Sequence, residues 1–339
     1  MRTLTITDTN VLKGIALLLL LCHHCFYTGE SFDDVFINGI PLIGRLGSFS
    51  KICVAIFVFL SGYGLTAQTM AKGGIGNVIT FYRRRYVKLM VNYWLIWLLF
   101  VPMGVFVFNR TFPLVYGEHY MFRAFWDFLG LHQAVFNEAG YNATWWFYSC
   151  IIVLYLIYPI IWRFRKFWFV MIPFAIVFEM VIFHVPFFGP SNVGPYFLSF
   201  VCGLSYAYVN PQVGTLDMKS KVILMVVLLL TCEYRFHIGA TYLWDAAIVI
   251  IGTFIYSIVS IPKFLSEVLA FLGKHSFNIF LFHTFIFGYY FHDYIYWSRN
   301  PLCIYLILLA VCIPISLFIE WSKQYFHINE LQNKLMGTF

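Results

Sequence analysis

Charge is scarce in this sequence. Only 11% of its 339 residues are Asp, Glu, Lys or Arg, against about a quarter in a soluble domain. A water-solvated surface around a chain of this size is thereby excluded. Long polar stretches are also missing: the longest, from Asn109 to Ala143, is itself rich in aromatics such as Tyr116, Tyr120, Phe122, Phe125 and Trp126. No stretch reads as a soluble domain, and one unit over residues 1–339 is expected. No internal repeat is visible, which counts against the inverted-repeat transporters. A cysteine framework is absent as well, since the eight cysteines fall within or at the ends of apolar runs and read as buried thiols.

What is present is apolar. Hydrophobic residues make up 61% of the chain and aromatics 21%. Runs of about 18 or more apolar residues, long enough to cross a bilayer as helices, recur over 11–28, 50–70, 86–108, 144–162, 167–187, 193–209, 219–234, 241–261, 276–296 and 301–320. Continuous runs such as Val222 to Leu230 favour helices over the alternating pattern of a barrel. The expected fold is therefore all-α, a polytopic membrane protein of about ten transmembrane helices. The first run turns polar after Leu21 and has no small-residue cleavage site, so it is expected to stay as helix one.

Sidedness follows from the cations. With the N-terminus in the cytoplasm, 16 of the 22 Lys and Arg fall on cytoplasmic ends and loops, among them Arg2, Lys72, Arg163 and Lys334. Both termini are then expected inside. The net charge of +7 is this topology signal, and it implies no nucleic-acid partner. Membrane lipid is the surrounding partner instead.

Several polar residues interrupt the apolar runs. Helix one reads VLKGIALLLLLCHHCFY, with Lys13 below the pair His23 and His24. Eleven residues are about three turns, so Lys13 and His24 share a face about 16 Å apart along the axis. An ionisable group at that depth is a functional candidate. A snorkelling Lys13 and two histidines satisfied at the interface are the structural alternative. Cys22-His23-His24-Cys25 suggests a metal site, but four consecutive helical side chains cannot converge on one ion and no second Cys/His pair accompanies them, so no metal is expected.

Arg83, Arg84, Arg85 and Lys88 open helix three at the cytoplasmic surface. Such a cluster serves either the phosphates of a nucleotide-bearing donor or positive-inside anchoring. Glu179, His283 and Glu320 lie in helices five, nine and ten. A carboxylate beside a histidine would prepare it as a general base, and sequence leaves open which carboxylate that is.

Taken in order, these residues resemble the acyltransferase-3 family of membrane acyltransferases over nearly the whole chain. The basic residue, ten spacers and histidine of its first helix are Lys13 and His24, with a KGIA opening. VAIFVFLSGYGLT is similar to its FFVLSGF run, Arg84-Arg85-Tyr86-Val87-Lys88 to its RRxxR cluster, and Leu272 through His283 to its LGKxSYxxYLxH stretch. Trp146-Phe147 and Tyr158-Pro159 bound helix four as in the family, and Glu320 sits at its Glu-Pro. Three features depart: Lys88 replaces the second arginine, the proline soon after it is absent, and Trp321 follows Glu320. No esterase-like domain is appended, so the membrane unit is expected to act alone or with separate partners.

The resemblance implies a multi-pass protein of the cell inner membrane. Its donor is acyl-CoA, with acetyl-CoA expected, and its acceptor a hydroxyl of a surface polysaccharide or lipid-linked sugar. It implies His24 as general base or acyl carrier, Glu320 orienting it, and Lys13 stabilising developing charge. Arg84, Arg85 and Lys88 would hold the donor's phosphates, while Ser61, Trp146 and His283 would line the substrate. A transporter using the intramembrane His and Glu residues as a proton relay, or a non-catalytic partner of a glycan assembly complex, are the competing classes.

Overall fold

The computed structural model describes residues 3–28, 31–182, 194–209, 216–239 and 241–337. Arg2, Glu30, and residues 183–187 and 193 of the expected fifth and sixth runs lie outside the described residues. In chain order the helices are α1 (Ile6–Phe26), α2 (Leu42–Phe49), α3 (Cys53–Ala71), α4 (Val78–Phe106), α5 (Phe112–Tyr116), α6 (Tyr120–Phe128), α7 (His132–Phe136), α8 (Trp146–Arg163), α9 (Trp168–Ile182), α10 (Gly194–Val209), α11 (Met218–Ile238), α12 (Tyr242–Ile258), α13 (Lys263–Thr284), α14 (His292–Tyr296), α15 (Pro301–Tyr325) and α16 (Ile328–Met336). The strands among the described residues are a two-residue hairpin, Phe36–Ile37 with Ile40–Pro41, turned by Asn38 and Gly39 at φ 51° and 78°, as a tight hairpin turn requires.

Within the described residues each apolar run falls on helix, the run over 276–296 being divided among the end of α13, the π-helical Phe285–Tyr290 and α14. Among the described residues, five segments are long and apolar enough to cross a membrane: Ile6–Phe26, Leu42–Ala71, Val78–Phe106, Ala143–Arg163 and Pro301–Tyr325. Two boundaries differ instructively from the sequence reading. α1 starts at Ile6 because Thr5 and Asp8 close a capping box ahead of the apolar run. α13 starts at Lys263 rather than residue 276, because Ser266, Glu267 and Lys274 interrupt its hydropathy without interrupting its backbone hydrogen bonding.

Glycine decides the closest helix crossings. A Cβ on Gly14 would sit 2.1 Å from the Leu269 carbonyl oxygen, and one on Gly273 would sit 1.8 Å from that of Asn10. α1 and α13 therefore touch backbone to backbone, as small residues permit in membrane bundles. α3 and α10 repeat the device, since a Cβ on Gly62 would meet the Phe200 oxygen at 2.3 Å and one on Gly203 the Phe59 oxygen at 2.0 Å.

The aromatic interval from Asn109 to Ala143 folds as a packed cap built from α5, α6 and α7. Its centre is Asp127, buried, which accepts hydrogen bonds from the Tyr116 hydroxyl at 2.5 Å and the Tyr141 amide at 2.8 Å. Burial pushes this carboxyl above the ordinary carboxylate value, and those hydrogen bonds oppose the rise. The Tyr93 hydroxyl of α4 donates to the Asp127 carbonyl at 2.6 Å, tying the cap to the bundle. Arg110 lies over the Tyr289 ring at 3.9 Å from its centre, so the cap also grips the segment that follows α13.

Candidate active site

The basic residues of α4 border a cavity of about 730 Å³ at the end of the bundle where α3 turns into α4. Its walls are the Lys72–Asn77 turn, the first turns of α4 and one face of α16, and among the described residues they carry Lys72, Arg84, Arg85 and Lys88 with no carboxylate. The four cations differ in how free they are. Arg84 donates to the carbonyls of Met336 and Gly337, at 3.2 and 3.3 Å, and so caps the end of α16. Arg85 holds the Gln68 side chain and lies over Phe81, 5.6 Å from the ring centre. Lys88 is exposed into the cavity, and its ammonium has no partner among the described residues.

A second cavity of about 460 Å³ shares Arg85 and Lys88 with the first, so the two are adjacent and walled by the same cations. It runs between the helices past Lys13, Ser61, Asn92 and Lys274 and ends against Phe147 and Phe280. Lys13 has no hydrogen-bond or ion-pair partner among the described residues, and Ser61 donates to the Phe57 carbonyl at 2.9 Å. The passage is thus cationic where the two cavities meet and gains an aromatic lining in the inner one. That gradient suits a ligand with a polyanionic head and a thin, less polar arm.

His24 lies beyond that end. The last turn of α1 turns it inward, with its ring centre 4.9 Å from that of His283 and 5.9 Å from that of Phe287. His283 is one helical turn past Phe280 on α13 and is fully buried. The neighbouring His23, whose ring centre also lies 4.9 Å from that of His24, has its Nδ1 2.9 Å from the Gly47 carbonyl of α2.

His283 is held at its level by the segment leading into α8. The Trp145 indole and the Asn142 amide donate to the Leu281 carbonyl at 2.9 and 3.3 Å, and Thr144 and Thr284 share a hydroxyl hydrogen bond of 3.1 Å. Just past it, Phe285–Tyr290 winds as a π-helix, a distortion frequent at functional sites.

The expected residues do not all converge. Lys13, Ser61, Arg85 and Lys88 line the inner cavity, while Arg84 lines only the outer one. Trp146 lines neither; it stacks on Tyr196 at 5.6 Å, and the adjacent Phe147 takes the cavity position. Glu320 does not touch His24. Its carboxylate accepts from the Asn278 amide and the Lys323 ammonium, both at 2.7 Å, and Asn278 lies about 7.5 Å before His283 along α13. No described carboxylate bonds to His24. The sequence reading missed the network of His275, Asn278, Ser316, Glu320 and Lys323, in which His275 meets Ser316 at 2.9 Å. Its signal was present as the i,i+3 spacing of His275 and Asn278 and the i,i+4 spacing of Ser316 and Glu320, which reveals a face but not its partner. Glu179 lies on α9, with one carboxylate oxygen buried and unbonded among the described residues.

Residues 6–321 match the family model described as an acyltransferase domain. The chain belongs to the acyltransferase-3 family. This membrane protein is also similar to the acyltransferase MdmB of Streptomyces mycarofaciens, at 30% identity over 159 residues, which cover 44% of this chain and 36% of that protein. No solved structure matches the chain. Gly14 follows Lys13 and Gly273 precedes Lys274, and the two make the crossing of α1 and α13, the helices on which His24 and His283 lie.

Proposed function

We propose that this chain is an inner-membrane O-acyltransferase that takes a short acyl group, acetyl, from cytoplasmic acyl-CoA and transfers it to a hydroxyl of a surface or lipid-linked glycan. One observation carries the reading: adjacent cavities lead from the cationic mouth, past Lys13, to a wall one helical turn from the paired His24 and His283. Arg85, Lys88 and Lys72 bind the donor's phosphates, Arg through paired donors and Lys as point charges. The pantetheine arm follows the inner cavity, and Lys13 offsets negative charge that grows on the thioester carbonyl oxygen. His24 takes the proton of the acceptor hydroxyl as its oxygen bonds to the carbonyl carbon. The C–S bond then breaks, and the leaving thiolate receives that proton from His24. Family membership and the similarity to a named acyltransferase support the acyl-transfer part of this reading. The acceptor and the donor rest on the resemblance.

The test is mass spectrometry of surface glycan from cells with and without the gene. Loss of one acyl ester at unchanged glycan length supports the reading. Loss of the whole polymer from the surface would replace it with an exporter.

A finer expectation separates the cations. Arg84 is engaged with α16 whereas Arg85 and Lys88 face both cavities. Arg85→Ala should raise the KM for acetyl-CoA about tenfold, matching a lost charge-assisted hydrogen bond of roughly 1.5 kcal/mol, while Arg84→Ala shifts it less than about threefold. Initial-rate kinetics on the purified protein read this difference, and equal effects of the two substitutions would remove the assignment.

A further inference from the structure

His283 carries an unusual combination of restraint and vacancy. Its Nδ1 lies 3.0 Å from the Ile279 carbonyl and 2.9 Å from that of Phe280. Two carbonyls can only accept, so this nitrogen bears the hydrogen. In the neutral ring, Nε2 is then a lone pair. It is buried and has no hydrogen-bond partner, an arrangement that normally costs about 1–3 kcal/mol. No carboxylate contacts the ring among the described residues, so nothing compensates a buried imidazolium. The one polar ring beside it is His24, at 4.9 Å between centres and 53° between planes; no hydrogen bond joins the two rings in this structure, and His24 is the polar side chain in ring contact that could donate one.

Resting on the reading of His24 as the base, we propose that His283 is its positioning residue: Nε2 of His283 accepts the N–H of His24, so that the opposite ring nitrogen of His24 presents its lone pair to the acceptor hydroxyl. A neutral histidine thereby fills the place that a carboxylate holds in the familiar hydrolytic triads. The grip of Asn142, Thr144 and Trp145 on Leu281 and Thr284 sets the height of this acceptor. Glu320 acts on the α13–α15 pairing through Asn278 instead.

The experiment uses the full chain in nanodiscs, labelled acetyl-CoA, and the surface-glycan fraction of a strain lacking the gene as acceptor. His283→Ala should lower kcat about 100-fold with the KM for acetyl-CoA within about twofold. His283→Gln, whose amide oxygen can accept at the Nε2 position, should recover to within about tenfold of the parent. In ¹⁵N-histidine spectra, the His24 signals, identified by their loss in His24→Ala, should report one tautomer in the parent and a mixture in His283→Ala. The proposal is overturned if alanine and glutamine are equally impaired, if KM rises while kcat holds, or if the His24 signals are the same in both proteins. Should the alanine variant fail to fold, a parent spectrum with His24 already in a tautomer mixture overturns it. Retention of full transfer by His24→Ala would instead sink the base assignment, whatever His283 does.

Discussion

His24→Ala is expected to lower acyl transfer by about 10²- to 10⁴-fold, the range of a lost general base, while His23→Ala retains most of the rate. The two histidines are adjacent in sequence and differ in surroundings. His23 is committed to the Gly47 carbonyl, so its loss loosens α2 against α1. His24 faces His283 in ring contact and has no hydrogen-bond or ion-pair partner among the described residues, so its ring nitrogens remain for chemistry. Acyl-ester content of surface glycan from cells carrying each variant at matched membrane levels reads the difference. Equal tolerance of both changes would remove the catalytic assignment of helix one.

Gly14→Val is expected to have the second large effect, on the membrane domain and the site together. The added side chain would begin 2.1 Å from the Leu269 carbonyl oxygen, which is backbone and cannot swing away. Overpacking of this kind costs about 1–3 kcal/mol, and more where backbone must shift. α1 and α13 would separate, and with them the pairs Lys13 with the inner cavity and His24 with His283. Reduced folded yield and a lower Tm in detergent, together with lost transfer in the surviving fraction, are the expected outcome. A near-native Tm would show that the α1–α13 contact is looser than drawn. Gly64→Ala is the control, because a Cβ there meets nothing within 4 Å.

Much of this was legible in the chain. Long uncharged runs can satisfy their backbone only as helices in lipid, and the described part of every expected run is helical. The basic residues of α4 were visible for their position, and Lys13 for its depth. The one-face relation of Lys13 to His24 follows from helical geometry alone. What sequence could not supply was pairing between distant segments. The residues alone left open which carboxylate neighbours His24, and the family resemblance implied Glu320; the structure gives Glu320 to Asn278 and Lys323. Trp146 and Phe147 are adjacent in a motif, yet only the second reaches the cavity, a choice made by the rotation of α8 against its neighbours.

The amino-acid sequence by itself determined the solvent this protein lives in, its helical class and which side chains are costly enough to need a purpose, because hydropathy and helical periodicity are local properties. Tertiary packing decided which cations remain free, where the cavities run and which imidazole His24 meets. Those depend on glycine-permitted backbone contacts between helices some 250 residues apart in the chain, for which no local pattern carries the partner's address.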